Sequence, residues 1–335
     1  MAVVDNVALS TYHLYPLTVT TPRLLWVGHP RHLPKAPTTG RAVIVDVAFA
    51  AAAQWKSKTR PFIDALGDRL ALYIDHHEHK EAWAVYATDP RFLLIPNRIA
   101  HACPELVTPD VMVRAGQVDV VVAHHDFDGL VSAVKVLRGG RAPWPEADED
   151  ARAVDSPGRG HVLSAFGARI ADAMDEATVT LERSAALEFN TRLCRGLAND
   201  VRLDPILDVE VGDFAGRASI ANDEARRIVA ARGKLEAPGV FVVRVDQKQD
   251  NRMRRNLLLL AEERAAIGAL FEPDPQHGSW LTAATFDQQL DLEDVDGFEG
   301  GRSDYRFARA HKGGHDLVEA LSSYVASKRV QPAST

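Results

Sequence analysis

Five short apolar runs in the first third of the chain set the strongest limit on how it can fold. They are LLWV (24–27), AVIVDV (42–47), LALYI (70–74), FLLI (92–95) and VDVVVA (118–123). Strands that are apolar at nearly every position are buried on both faces, which is typical of a parallel sheet covered by helices. The runs therefore predict an open, mostly parallel sheet in an α/β fold.

Helical patterns separate several of these runs. Apolar residues recur with helical spacing after residue 129, and the stretch PNRIAHACPELV (96–107) predicts another helix after a strand. Residues 163–197 are mostly helical in pattern, and a polar stretch (206–218) separates them from a connecting helix at 222–233. Alternation of strands and helices is what an open α/β sheet requires.

A second, smaller α/β unit follows Pro238-Gly239. Its predicted elements are a strand at 239–246, a helix at 251–270, strands at 279–287 and 305–310, and a helix at 316–325. We therefore expect a larger domain over residues 1–215, a connecting helix or linker over 216–235, and a smaller C-terminal α/β domain over 236–335.

Composition narrows the range of functions. The 335 residues are 46% hydrophobic and 25% charged, and the formal net charge of −7 argues against a purely electrostatic nucleic-acid binder. The two cysteines, Cys103 and Cys194, form no metal-binding or disulfide pattern and favour a reducing compartment, the cytoplasm. Neither a signal peptide nor a membrane span is expected from the apolar runs.

Acids and imidazoles follow three of the predicted strands. Ligands of open α/β sheets bind beyond the carboxyl ends of the strands, where parallel neighbours lie about 5 Å apart. The side chains at these ends are Asp46; Asp75, His76 and His77; and His124, His125, Asp126 and Asp128. We expect all but His125, which occupies an alternating position, to converge on one site.

Such a cluster is unfavourable as bare charges, because close carboxylates raise one another's pKa. Divalent cations remove the conflict. Mixed histidine and aspartate ligands suit Mn²⁺, Fe²⁺ or Zn²⁺, and two such ions about 3.5–4 Å apart are used for phosphoryl transfer. The sequence thus predicts a two-metal centre with a bridging carboxylate.

The motifs resemble those of the DHH phosphoesterase family. YIDHHEH (73–79) is similar to the motif that names the family, HHDFDGLVSA (124–133) to its His-x-Asp-x-Asp-Gly motif, and VIVDVAF (43–49) to its lone aspartate motif. PNRIAHACPELV resembles the helix after DHH, and AHKGGHDLVEAL (310–321) the Gly-Gly-His element of the associated substrate-binding domain. The Asp-x-Asp motif comes third here, although it comes first in the family, so we interpret the order as a circular permutation.

The resemblance implies a role for each matching residue. One ion would be held by His124, Asp126 and the bridging Asp46, and the second by Asp46, Asp128 and His76. His77 would face the substrate phosphate, and Asp75 would orient an imidazole. The family's fourth motif supplies a further aspartate. The candidates are Asp155, which fits best, and Asp150 and Asp200.

In the second domain, the resemblance implies substrate binding near the Gly-Gly-His element. Gly313 and Gly314 let backbone N–H groups approach an anion, and His315 would meet a phosphate or a base. Arg302 and Arg306 would add charge-assisted contacts to phosphate. The cationic run Arg252, Arg254 and Arg255 is a further candidate lining of the same cleft.

The implied function is a phosphodiesterase in which two divalent ions, Mn²⁺ first among them, activate a water molecule. Expected substrates are short oligonucleotides or cyclic mono- and dinucleotides, with no membrane partner and with a homodimer left open. One alternative is a haloacid-dehalogenase-type phosphatase with Asp126 as nucleophile and Asp128 as acid/base. The other is a non-catalytic scaffold of the same fold.

Overall fold

The computed structural model describes residues 21–158, 160–199, 202–274, 278–287, 289–298, 307–310 and 315–330. Two five-stranded sheets organise this part of the chain. The first contains β1 (Arg23–Val27), β2 (Ala42–Val45), β3 (Leu70–Asp75), β4 (Phe92–Leu94) and β5 (Val120–His124). These strands coincide with the five apolar runs, and all of them are parallel in the order β1-β5-β2-β3-β4.

Helices cover both faces of this sheet. They are α1 (Thr59–Leu66), α2 (Lys80–Tyr86), α3 (Pro109–Ala115), α4 (Phe127–Leu137), α5 (Ala147–Asp155), α6 (Ala165–Thr180) and α7 (Arg183–Asn199). Along β2, Val43 and Val45 join the core beneath α4, α6 and α7, whereas Ala42 and Ile44 join the core beneath α1. Because both faces are buried, the strand is apolar at every position.

The second sheet is mixed. Its strands are β6 (Gly233–Ala237), β7 (Val240–Arg244), β8 (Ile267–Asp274), β9 (Gly278–Ala284) and β10 (Phe307–Ala310), and its helices are α9 (Asn251–Glu262) and α10 (His315–Val330). The order is β10-β9-β8-β7-β6, with β7 and β8 parallel and the other pairs antiparallel. The predicted α/β class, with a mostly parallel sheet and a second α/β unit, is confirmed.

One long helix, α8 (Pro205–Arg232), joins the two sheets. Asp204 caps its first turn by accepting hydrogen bonds from the N–H groups of Ile206 and Leu207. The expectation of a polar stretch at 206–218 followed by a helix from 222 was therefore wrong, since the helix runs without interruption through both segments. Its first half packs in the core of the parallel sheet, and its second half packs against the second sheet.

Two further predicted helices differ in the structure. Residues 96–107 form turns and a short 3₁₀ segment at Cys103–Leu106, because Pro104 has no N–H to donate to the carbonyl of Ala100, as a continuous helix would require. The helix expected at 251–270 ends at Glu262, and residues from Ile267 form β8. At Gly268 a Cβ would lie 2.6 Å from the backbone nitrogen of Glu262, so this close approach of strand and helix needs glycine.

Candidate metal centre

The three strands that carry the motifs are neighbours in the sheet, in the order β5-β2-β3. Their parallel register brings the carboxyl end of each strand to one edge. Asp46 directly follows the central strand, so it lies between the side chains that follow the two outer strands. This topology explains how motifs about 80 residues apart in sequence reach one site.

Asp46 is fully buried and has a strained backbone. Its φ angle is 58°, in the left-handed region that only a small share of non-glycine residues adopt, aspartate and asparagine among them. Its carboxylate lies between two imidazoles, with Oδ1 3.4 Å from His76 Nε2 and Oδ2 3.7 Å from His124 Nδ1. Neither carboxylate oxygen has a hydrogen-bond partner within the described part of the chain. The geometry suits a carboxylate that bridges two cations.

The tautomer of His76 is set by the backbone. Its Nδ1 lies 3.0 Å from the carbonyl oxygen of Ala100, which can only accept, so Nδ1 carries a proton. The buried Nε2 is then the atom that can bind a cation, and it lies 3.6 Å from Asp128 Oδ2 and 3.7 Å from Asp155 Oδ2. Metal–ligand bonds of about 2.0–2.2 Å leave neighbouring ligand atoms roughly 3 Å or more apart, which fits this spacing.

Helix α4 presents the two aspartates of the Asp-x-Asp motif. Asp126 is its N-cap residue: Oδ1 accepts a hydrogen bond of 3.1 Å from Gly129 N, while Oδ2 contacts His124 Nδ1. Asp128 lies in the first turn, is buried, and accepts a hydrogen bond from Cys103 N. A Cβ at Gly129 would lie 2.3 Å from the carbonyl oxygen of His124, which explains the glycine of the motif.

His77 and Asp75 form a hydrogen-bonded pair beside these ligands. His77 Nδ1 lies 2.8 Å from Asp75 Oδ1 and 3.8 Å from Asp46 Oδ1. Asp75 is fully buried, whereas about a quarter of the His77 side chain is exposed (28%). The carboxylate therefore holds the imidazole at the open side of the centre, which is consistent with the predicted orienting role.

Three sets of side chains have ligand atoms within 4.8 Å of one another. They are Asp46, His76 and His77; Asp46, His124 and Asp126; and His76, Asp128 and Asp155. The second set is the predicted first-ion set, and the third contains the predicted second-ion residues apart from Asp46, which lies beside His76. The donor types suit divalent cations, and the orphaned oxygens of Asp46 and the Nε2 of His76 fit such a group.

The charges of the centre conflict when no cation is considered. Burial raises the pKa of Asp128 well above its ordinary value, and the carboxylates of Asp46 and Asp126 raise it further; burial also raises the pKa of Asp155. Burial lowers the pKa of His76, but Asp46 and Asp155 outweigh burial and raise it to about 10. A divalent cation would replace the protons that this cluster otherwise holds.

The two described candidates for the fourth-motif aspartate are separated by their contacts. Asp155 ends α5 and lies at the centre, next to His76. Asp150 accepts hydrogen bonds from Trp144 Nε1 and Ser164 Oγ, both at 2.7 Å, and has a packing role. Asp200 lies outside the described residues.

Several groups at the centre have no signal in the sequence. The carbonyl of Ala100 and the N–H of Cys103 are backbone groups, which any residue could supply. Asn97 Nδ2 lies 3.4 Å from Asp155 Oδ2. His125, which was expected to point away from the ions, packs beside Trp26 with ring centroids 6.2 Å apart.

Most of the predicted substrate-binding residues of the second domain are not among the described residues. Arg302, Arg306, Gly313 and Gly314 lie outside the described residues, and His315 is described only as the first backbone position of α10. The three arginines of α9 that were expected to line the cleft instead pair with acids. The pairs are Arg252–Glu176, Arg254–Glu272 and Arg255–Asp175.

The arrangement of the three motifs decides the type of fold. Lone aspartate, DHH and His-x-Asp-x-Asp segments end three adjacent parallel strands, and their side chains meet around Asp46. The chain has a DHH-type fold. No family model and no curated protein matches this sequence.

Solved structures with a similar course of the chain are distant in sequence. A pGpG-specific phosphodiesterase, PggH from Vibrio cholerae, is 11% identical over 87% of this chain and all of its own (100%), with a TM-score of 0.40. An exopolyphosphatase-related protein from Bacteroides fragilis is 10% identical over 86% of this chain and 72% of its own, with a TM-score of 0.41. Exonuclease RecJ bound to manganese is 14% identical over 87% of this chain and 75% of its own, with a TM-score of 0.39. Because the TM-scores and sequence identities are low, the interpretation of the centre rests on its own geometry.

Proposed function

We propose that this protein is a divalent-metal-dependent phosphodiesterase that hydrolyses nucleotide phosphodiesters, either short oligonucleotides or cyclic mono- and dinucleotides. The observation that carries the proposal is the Asp46 carboxylate, which is fully buried, lacks hydrogen-bond partners among the described residues, and lies between two histidines. A buried, unpaired carboxylate is costly unless a cation compensates it.

Two cation positions follow from the ligand sets. His124, Asp126 and Asp46 would hold one ion, and His76, Asp128 and Asp155, with Asp46 as the bridge, would hold the other. When bound, such ions lower the pKa of a coordinated water and neutralise charge on a phosphoryl group. Mn²⁺ is our first choice, since mixed imidazole and carboxylate ligands suit it.

The remaining residues of the centre act on the substrate. His77 lies at the open side with its Nδ1 held by Asp75, so its Nε2 is available to donate to a phosphate oxygen. Asp75 keeps the ring oriented and supports the protonated form of His77, whose pKa is lowered by burial but raised overall by Asp75. The pair would therefore stabilise negative charge that builds on the phosphate.

The negative net charge of the protein favours small nucleotide substrates over long nucleic acids. The formal net charge of −7 gives little long-range attraction for a long polyanion. We propose that Arg302, Arg306, Gly313, Gly314 and His315 bind the nucleotide from the second domain, as the resemblance implies.

The haloacid-dehalogenase alternative is disfavoured by the contacts of Asp126. A nucleophilic aspartate needs a carboxylate oxygen free to attack phosphorus. Here Oδ1 accepts from Gly129 N, as a helix cap, and Oδ2 contacts His124. The scaffold alternative requires no ligands, yet a full set of predicted ligands converges here.

We further propose that the motif order reflects circular permutation of the catalytic domain. The division into residues 1–215, 216–235 and 236–335 is supported by α8, whose residues up to Phe214 pack in the first core and whose residues from Ala225 pack in the second.

Both cysteines are free and buried, in keeping with a reducing compartment such as the cytoplasm. No described helix has the length and apolar character needed to cross a membrane. A homodimer is a further expectation, which solution mass measurements would test.

A hydrolysis panel with Mn²⁺ tests the function. It covers cyclic dinucleotides, cyclic mononucleotides, dinucleotides, longer RNA, single-stranded DNA and 3′,5′-bisphosphates. We expect one of the small phosphodiesters to dominate, and we expect Asp46→Asn, which suits the left-handed backbone, to lower kcat at least about 100-fold. Asp64→Asn, at an exposed ion pair of α1, is the control. No hydrolysis of any substrate by the wild type, or full activity of Asp46→Asn, would refute the proposal.

A further inference from the structure

Arg152 links two parts of the chain that surround the ligand set of His76, Asp128 and Asp155. It lies on α5 and its side chain is about one third exposed (30%). Its Nε and Nη2 donate to Glu105 Oε2 at 3.1 and 2.8 Å, and its Nη1 donates to Glu149 Oε2 at 3.2 Å. The other oxygen of Glu105 accepts from Ala102 N at 2.9 Å. The guanidinium therefore ties helix α5 to the backbone segment 100–105.

That segment supports two ligands through its backbone. The carbonyl of Ala100 holds His76 Nδ1 at 3.0 Å, and the N–H of Cys103 donates to Asp128 Oδ2 at 3.3 Å. Both contacts come from a stretch with little regular structure. Its position therefore depends on side-chain anchors such as the contact between Glu105 and the arginine.

A second set of hydrogen bonds connects α5 to segment 100–105 through two histidines and a serine. Glu149 Oε1 accepts from His161 Nδ1 at 3.1 Å, and His161 Nε2 lies 2.7 Å from His101 Nδ1. Ser156 Oγ donates to the carbonyl of His101 at 2.7 Å, immediately after the ligand Asp155. The bonds thus fasten segment 100–105 to α5 at both ends, and Asp155 lies on the fastened helix.

We infer that Arg152 is a positioning residue for the cation site formed by His76, Asp128 and Asp155; this inference rests on the proposed function. The planar guanidinium bonds to Glu105 across the gap and to Glu149 on its own helix. It thereby fixes the distance between the segment that orients His76 and Asp128 and the helix that presents Asp155. Groups that bond directly to a metal ligand typically change metal affinity or activity by about 10- to 100-fold, and Arg152 lies one contact further out, so a loss at the lower end, about 10-fold, is expected. Arg152 touches none of the three ligands in the described contacts and acts through Glu105 and Glu149.

The test is a double-mutant comparison of Mn²⁺ affinity, measured by calorimetry and by electron paramagnetic resonance. In a His124→Ala background, which disables the set Asp46, His124 and Asp126, Arg152→Ala should weaken the remaining Mn²⁺ site by about 10-fold. In an Asp128→Asn background, which disables the set His76, Asp128 and Asp155, Arg152→Ala should change the affinity less than about twofold. Arg152→Lys keeps the charge but not the fork, and an intermediate loss is expected.

Arg192→Ala is the matched control, since Arg192 also makes two hydrogen bonds to one glutamate, Glu210, at 2.6 and 2.8 Å, on α7 and α8. It should leave both backgrounds unchanged. If Arg152→Ala fails to fold, Glu105→Gln tests the same link, because Glu105 is the partner of Arg152 in segment 100–105. Equal losses in both backgrounds, or no loss in either, would overturn the positioning role while wild-type Mn²⁺ binding still supports the proposed function. A wild type that binds no Mn²⁺ would overturn both.

Discussion

At the scale of single residues, Gly129 packs closely against two residues of the candidate metal centre, His124 and the capping Asp126. A Cβ there would meet the carbonyl oxygen of His124 at 2.3 Å and Asp126 Oδ1 at 2.8 Å. Gly129→Ala should therefore destabilise the protein by about 1–3 kcal/mol and weaken Mn²⁺ binding, because both neighbours must move. Urea unfolding and calorimetry measure the two effects.

The control for that substitution is Gly216→Ala. Gly216 lies inside α8, and nothing lies within 4 Å of its Cβ position. Alanine should stabilise the helix by about 0.5–1 kcal/mol, since glycine loses more backbone entropy on folding. Similar free energies of unfolding for the two variants would contradict the role given to Gly129.

The raised pKa of His76 predicts how the stabilisation by Mn²⁺ depends on pH. The fold raises this pKa from 6.5 to about 10, and the pKa of His124 is also raised. In the metal-free protein the resulting stability is fully present below pH 6.5 and is lost as pH rises toward the folded pKa. Mn²⁺ replaces these protons, so the rise in Tm caused by saturating Mn²⁺ should grow between about pH 6.5 and 8.5. A rise that shrinks over this interval would contradict the assignment of His76 and His124 as ligands.

At the scale of elements, an ion pair between a buried lysine and a partly exposed aspartate joins α4 to α5. Lys135 is almost fully buried, and its Nζ lies 2.7 Å from Asp148 Oδ1 and 2.8 Å from the carbonyl of Pro104. Asp148→Ala removes the charge that compensates the lysine and should cost about 3 kcal/mol. The double variant Asp148→Ala with Lys135→Met should recover most of this loss in chemical unfolding. Failure to recover it would show that the pair acts through packing rather than charge.

The sequence predicted the elements that burial patterns determine. All five strands of the parallel sheet coincide with apolar runs, since a strand between two covering layers is apolar at nearly every position. Residues 96–107 were assigned to a helix from their resemblance and spacing, yet Pro104 and the demands of His76 and Asp128 select turns. Strand β6 was missed because its side chains are half exposed, so its sequence GKLEA lacks an apolar run.

The convergence of the motif side chains could be predicted from the sequence, while their roles stay predictions. Asp46, His76, His124, Asp126, Asp128 and Asp155 lie together in the structure. What could not be predicted is how they are held, since the carbonyl of Ala100 and the N–H of Cys103 have no sequence signature. The left-handed backbone of Asp46 is likewise a tertiary effect, because nothing in the local sequence requires it.

At the scale of the whole molecule, ion pairs join the two sheet units. Glu176 of α6 is buried and pairs with Arg217 of α8 and Arg252 of α9, while Asp175 pairs with Arg255. Glu176→Gln should leave these arginines less compensated and destabilise the protein by about 1–3 kcal/mol, with faster hydrogen exchange in α9. Asp223→Asn, at an exposed pair with Arg226 on α8, should change stability by less than about 0.5 kcal/mol. Equal effects of the two variants would argue against a joining role.

The strand order also has a consequence for synthesis of the chain. Since β5 lies between β1 and β2, the ribosome delivers both outer neighbours before the strand that must separate them. Until residue 124 has left the exit tunnel, β1 lacks its hydrogen-bonding partner β5, and β2 exposes an open edge of the kind that invites aggregation. The nascent chain therefore exposes an incomplete sheet, and the side chains of the candidate metal centre can meet only after β5 has inserted between β1 and β2.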